Sequence, residues 1–282
     1  MSAAPKRFRV RSGLTRPMDF RLASNRFAVV VPAIAGAVAG LVTLVTGDTF
    51  VAALRTGVAA GGASFLGWAC ARELDPDRTL TAAVAALVAP FMVTLGEPAI
   101  AAGFVWVMAL RALAGTTGAP VFVADLVLFG LIAAVAAMGE GGLTAVGIGV
   151  VVMALYAFIE PTGRPRVLVA CVLVVAVAVA IAAVRDHLVG PGAFQSSTAW
   201  WLVAVALGTM AAIRVTVTSA TDRRPRPLSQ RRVRLAVVSA SVCCLVVVAW
   251  HGPAGAYRAG PLLVALWVTG VVALWPQRNS ST

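Results

Sequence analysis

Residues 167–184 read VLVACVLVVAVAVAIAAV, eighteen residues without a charge, an amide or a hydroxyl. Nothing in the run alternates between polar and apolar, as a strand with one wet face would require. As an α-helix it is about 27 Å long, close to the roughly 30 Å hydrocarbon core of a bilayer. The segment therefore reads as a transmembrane helix, and the rest of the chain repeats the pattern. Comparable apolar blocks occupy 27–45, 51–71, 80–95, 99–113, 121–138, 143–159, 199–218, 235–250 and 260–275. The fold class that follows is all-α: a polytopic transmembrane helical bundle with about ten transmembrane helices.

Composition supports the same class. Of 282 residues, 60% are hydrophobic and 12% charged, and the mean hydropathy is +0.92. A soluble domain carries roughly a quarter charged residues. Ten crossings at about 20 residues each use roughly 200 residues. What remains supplies tails and short connections and leaves no room for a soluble catalytic domain. Residues 1–26 form a basic cytoplasmic tail, 27–275 the membrane domain and 276–282 a second cytoplasmic tail. The membrane domain divides into two five-helix halves, 27–138 and 143–275. Its weakest boundary lies at Gly96, Glu97 and Pro98, so residues 80–113 form either two spans or one re-entrant hairpin.

Charge placement sets the orientation. With the N-terminus inside, nineteen of the 23 basic residues fall on the inner side. They comprise the tail from Lys6 to Arg26, Arg72, Arg78, Arg111, Arg164, Arg166, the group between Arg223 and Arg234, and Arg278. Arg185 and Arg258 fall outside, Arg55 near the outer end of the second span and Arg214 within the eighth. Retention of basic loops on the cytoplasmic side predicts this bias. The expected location is the inner (cytoplasmic) membrane, multi-pass, with both termini cytoplasmic. The net charge of +12 fits contact with anionic headgroups. No zinc spacing or aromatic-basic strand accompanies it, so nucleic acid is not an expected partner; membrane lipids, a membrane-protein partner or a second copy are.

Small residues dominate the spans. Gly36 and Gly40, and Gly57 and Gly61, each stand four residues apart, the spacing that lets helix backbones approach in lipid. Pro32 is expected near a helix start, where it is tolerated. Cys70, Cys171, Cys243 and Cys244 lie in spans as small packing residues, and His187 and His251 are too few for a histidine metal site. No phosphate loop, HExxH pair or nucleophile elbow occurs, and no cofactor or catalytic group is identified.

Ionisable residues inside or beside spans are the remaining candidates. Residues 72–78 read RELDPDR and bring Glu73, Asp75 and Asp77 to the inner boundary. Alternate carboxylates on a bent loop can hold a divalent cation near a phosphate. They can equally organise the turn, with Asp77 capping the third helix. Asp125, near the inner end of an apolar fifth span, needs a partner, a watery cavity or a proton; Arg111 lies at similar depth and is the expected contact. Outside, Glu97 and Arg55 form an ion pair or guard an entrance. Ten crossings split as five plus five resemble the inverted repeats of secondary transporters. The leading expectation is a small-solute or lipid-related secondary transporter, with Asp125 and Glu97 as successive gates. The alternatives are a non-catalytic subunit or scaffold of a membrane complex, and a membrane enzyme acting on a lipid phosphate.

Overall fold

The computed structural model describes residues 12–14, 20–161, 163–185, 195–221 and 227–274. Expectations for the rest of the basic tail, His187, the arginines at 223–226 and the C-terminal tail fall outside these residues. The described chain is helical apart from one isolated bridge between Ala220 and Pro227. Five helices are long and apolar enough to cross a membrane: α1 (Ala23–Val45), α2 (Phe50–Leu74), α6 (Gly142–Ile159), α7 (Arg164–Val184) and α9 (Gln230–His251). Five shorter apolar segments accompany them. These are α3 (Thr79–Val88) with its 3-10 extension Ala89–Thr94, α4 (Ile100–Ala114), α5 (Val123–Ala137), α8 (Ser196–Ala212) and α11 (Gly260–Ala273). A six-residue helix, α10 (Pro253–Arg258), joins α9 to α11.

The bundle is assembled on α2, which packs against α1, α3, α4, α9 and α11. Its seam with α1 follows from the glycine spacing. A Cβ at Gly36 would stand 2.8 Å from the carbonyl oxygen of Gly57, and one at Gly57 would meet the Gly36 oxygen at the same distance. Only glycine permits that approach, and van der Waals contact is what it gains. Pro32 belongs to this seam: its carbonyl lies 2.9 Å from where a Gly61 Cβ would be. Because α1 begins at Ala23, Pro32 lies well inside the helix, not in its first turn as the sequence suggested. The rest of α1 stays exposed, with Ile34, Val38 and Leu41 facing outward.

Larger side chains fill the middle. Trp106, Phe129, Leu110, Met153 and Leu266 are buried there, and the Trp106 indole donates to the Ala145 carbonyl at 3.0 Å. Trp106 is thus a packing residue whose polar atom is satisfied within the core. All four cysteines are buried and unpaired.

Bonds between remote elements gather at two opposite ends. Arg78 donates to the Val272 carbonyl at one end; at the other, Arg55 meets Glu97 and the Ala99 amide donates to the Arg258 carbonyl at 3.1 Å. Nineteen residues of α2 separate Arg55 from Leu74, roughly 29 Å. The segment 79–94 and α4 each run between these ends, without turning back midway.

Besides the early start of α1, three boundaries differ from the sequence reading. Helix α8 stops at Ala212, six residues early, because 213–218 (IRVTVT) leaves the helix. The Gln230 amide clips that strip, accepting from the Val217 amide at 2.7 Å and donating to the Val215 carbonyl. Arg214 therefore follows the helix and does not lie within it. Helix α9 begins five residues early, at Gln230, where the Ser229 side chain caps it. Finally, Arg78 occupies the N-cap of α3 without a side-chain bond. Asp77 does not cap that helix, because its carboxylate is engaged elsewhere.

Candidate functional site

One end of the bundle concentrates the buried ionisable groups. Among the described residues, Glu73, Asp75 and Asp125 are the buried charged side chains, and all three lie there. Glu73 occupies the last turn of α2, where the helix dipole disfavours an anion. It is fully buried and needs a partner. Arg111, in the last turn of α4, donates from Nε to Glu73 Oε1 at 2.6 Å, and the Thr116 hydroxyl donates to Oε2. Helix α4 ends at Gly115, whose φ of 70° allows the chain to turn immediately into Thr116 and Thr117.

Arg111 and Asp125 do not touch. Arg111 is committed to Glu73, and each grips a different part of the N-terminal tripeptide Ser12–Gly13–Leu14. The Ser12 hydroxyl donates to Asp125 Oδ1 and the Gly13 amide to Oδ2 at 2.7 Å. The Gly13 carbonyl accepts from the Thr117 hydroxyl at 2.8 Å, and the Leu14 carbonyl accepts from Arg111 at 2.7 Å. Gly13 lies so close that a Cβ would come 2.5 Å from the Pro120 oxygen. Leu14 is 1% exposed. Three elements thus build a receptor that meets the backbone of one short segment group by group. Asp125 also accepts the Phe122 amide at 3.0 Å, closing the first turn of its own helix.

Asp77 faces the other way. It accepts from the Thr218 amide at 2.6 Å, the Thr218 hydroxyl at 2.8 Å and the Ser219 amide at 3.2 Å. Partial burial works to raise its pKa, but the bonds from Ser219 and Thr218 outweigh that and hold the carboxyl below its ordinary value. Asp75 is fully buried, accepts from Thr81 at 2.7 Å through Oδ2, and has no partner at Oδ1. Burial pushes its carboxyl up, against the opposing pull of Thr81 and Arg78. The three carboxylates of 72–78 therefore point into three environments. Among the described residues no group of three His, Cys, Asp or Glu side chains is placed to hold a metal ion.

A cleft of about 420 Å³ adjoins this cluster, lined by Gly118, Tyr156, Glu160, Ser229 and Arg232 among others. Arg232 donates to the Leu113 and Ala112 carbonyls, both at 2.8 Å, and stands 3.8 Å from Glu160. It occupies the open carbonyls at the end of α4, a use of arginine that favours the helix dipole.

At the opposite end Arg55 donates from Nε and Nη2 to the two Glu97 oxygens, with side chains 71% and 55% exposed. Arg258 reaches Glu140 at 2.7 Å. The seven candidates thus separate into five at one end and two at the other. Sequence reading missed Ser12, Gly13, Leu14, Thr116, Thr117 and Arg232. Its available signals were an apolar Leu14 inside a basic tail and the Gly–Thr–Thr–Gly turn at 115–118. No protein-family model, curated protein or solved structure matches the chain.

Proposed function

We propose that the chain is a ten-crossing protein of the cytoplasmic membrane, with both termini on the cytoplasmic side, serving as a non-catalytic subunit or scaffold of a membrane complex. The observation that carries this reading is the distribution of buried charge. Among the described residues every buried carboxylate lies at one end, and Glu73 and Asp125 are consumed by internal bonds. A solute path needs polar groups or broken helices near the membrane middle. Among the described residues the buried polar side chains away from that end are serines and threonines, such as Ser64 on the Ala86 carbonyl and Ser241 on that of Val237.

The ten crossings are supported by five further apolar segments of 10–17 residues beside the five long helices. The inner side is the end bearing Arg72, Arg78, Arg111 and Arg232, in keeping with the basic bias of cytoplasmic loops. The halves 27–138 and 143–275 meet through α2 with α11 and α4 with α6.

One observation favours transport as a second reading: the third crossing is interrupted at Ala89–Thr94, with Pro90 at the break. Discontinuous helices of this kind build transporter sites. Reconstitution in sealed vesicles separates the two. The scaffold reading expects no flux of labelled amino acids, sugars or inorganic ions above protein-free vesicles, and a stoichiometric membrane partner in complexes isolated from native membranes. Saturable solute flux would overturn it. Thr15→Cys and Pro225→Cys should label from one side and Gly190→Cys from the other; labelling of 15 and 225 from opposite sides would reject the topology.

A further inference from the structure

Helices α5 and α7 run side by side and leave an apolar groove of about 680 Å³ on the outside of the bundle. Its floor is made by Leu126, Gly130 and Val174, and its rims by exposed side chains including Leu131 and Leu173. The glycine is not demanded by packing, since a Cβ at 130 would meet only a Val174 methyl at 3.5 Å, an ordinary contact. Its effect is to keep the groove deep. The groove runs from Arg166 to Val177 along α7, eleven residues or about 16 Å. That is close to half of the roughly 30 Å hydrocarbon core, the depth of one leaflet.

The two ends differ in chemistry. The far end is wholly apolar. The near end carries Arg166, exposed in the first turn of α7, its side chain without a hydrogen bond or ion pair among the described residues. Its neighbour Arg164 lies over the Phe158 ring at 4.4 Å. The nearby acids are engaged: Asp125 holds Ser12, Gly13 and Phe122, and Glu160 faces Arg232. Neither acid is bonded to Arg166, so its guanidinium is left to face the groove, and the positive end of the α7 dipole adds to its charge.

We infer that this groove binds one anionic phospholipid of the cytoplasmic leaflet, with an acyl chain along α5 and α7 and the phosphodiester at Arg166. A basic group at the cytoplasmic end of a cleft between membrane helices is the arrangement that selects anionic headgroups. A free phosphate would leave the apolar length unused. A partner's transmembrane helix, about 10 Å wide and spanning both leaflets, would overrun a groove one leaflet deep. The inference rests on the membrane reading proposed above.

The test uses the full chain reconstituted in phosphatidylcholine bilayers containing a minor fraction of phosphatidylglycerol, followed by native mass spectrometry of the released protein. The expected result is one retained phosphatidylglycerol per chain and little retained phosphatidylcholine. Arg166→Ala should lower retention roughly five-fold, the weight of one basic residue at an anionic surface. Gly130→Leu, which fills the floor, should lower it independently. Equal retention of the two lipids, retention unchanged in both variants, displacement by inorganic phosphate, or a lipid-free dimer would each overturn the inference. Failure of the chain to enter bilayers at all would instead reject the membrane reading beneath it.

Discussion

The two ends of the bundle use the same chemical pair for different purposes. Glu73 is fully buried and Arg111 mostly so, and a third group, Thr116, completes the carboxylate's bonding. Arg55 and Glu97 form a two-pronged contact, where Arg111 meets Glu73 through Nε alone, yet both Arg55 and Glu97 side chains are mostly in the open. In the first case the ions have lost their hydration, so each depends on the other. In the second, water and salt replace whatever the pair provides. The pair with fewer direct bonds is therefore the one the fold requires, because burial and not the number of contacts decides.

The largest expected effect is at the buried pair. Glu73→Ala strands Arg111 beside a fully buried void and should cost about 3–5 kcal/mol in denaturant unfolding from detergent. A loss as small as that of an exposed pair would show that Arg111 finds another acceptor and that the ends differ less than argued. The glycine seam comes next. Gly57→Leu drives a side chain into the Gly36 carbonyl and should cost about 1–3 kcal/mol. Gly147→Ala, where a Cβ has nothing within 4 Å, serves as the control and should be neutral.

Asp125→Asn tests the tail receptor. It weakens the bonds from Ser12 and Gly13 by removing their charge, a difference of about 1 kcal/mol. Tryptic cleavage after Arg11 should accelerate while global unfolding changes little. Equal cleavage rates would show that the carboxylate does not hold the tail.

The pH dependence of the end that holds Glu73, Asp75 and Asp77 should carry two opposite signs. Asp77, held low, stabilises the fold above its ordinary value near 3.9, and that contribution disappears as pH falls through the lowered value. Asp75, pushed up by burial, has the reverse effect: stability falls as pH rises from the ordinary value through the raised one. Asp75→Asn should therefore gain stability over the parent chain at alkaline pH, whereas Asp77→Asn should lose it above the acid range. Melting curves across pH check both, and a common sign would contradict the separate environments. Arg55→Ala, the smallest effect, should leave the melting temperature unchanged at physiological salt.

The all-helical class was legible because long apolar runs without polar alternation suit a helix, as residues 167–184 do. The α1–α2 seam was legible too, since Gly36 and Gly57 sit in four-residue repeats whose use in lipid is nearly forced. The inner-end pairing was not. Arg111 and Asp125 matched in depth, but depth does not say which partner a neighbouring helix will offer. Glu73 claimed Arg111 from a loop where three carboxylates looked equivalent. Asp77 had the position of a cap, yet the strip after α8, a hundred and more residues away, supplied better donors. Ser12–Leu14 was hidden for a related reason: apart from the Ser12 hydroxyl, its bonds are made by its backbone, which has no sequence signature.

The central claim is that the middle of the bundle is packed and that its buried charges serve the fold at one end. Native Cys243 and Cys244 report on that middle directly. They are 1% and 0% exposed and lie about 20 Å along α9 from Gln230. The measurement is labelling of the unmodified chain in sealed vesicles by a membrane-impermeant maleimide applied from each side, read by peptide mass. The account predicts no modification of either cysteine until the protein is denatured. Rapid labelling of Cys243 or Cys244 in the folded chain would reveal a water-filled path through the bundle and contradict it.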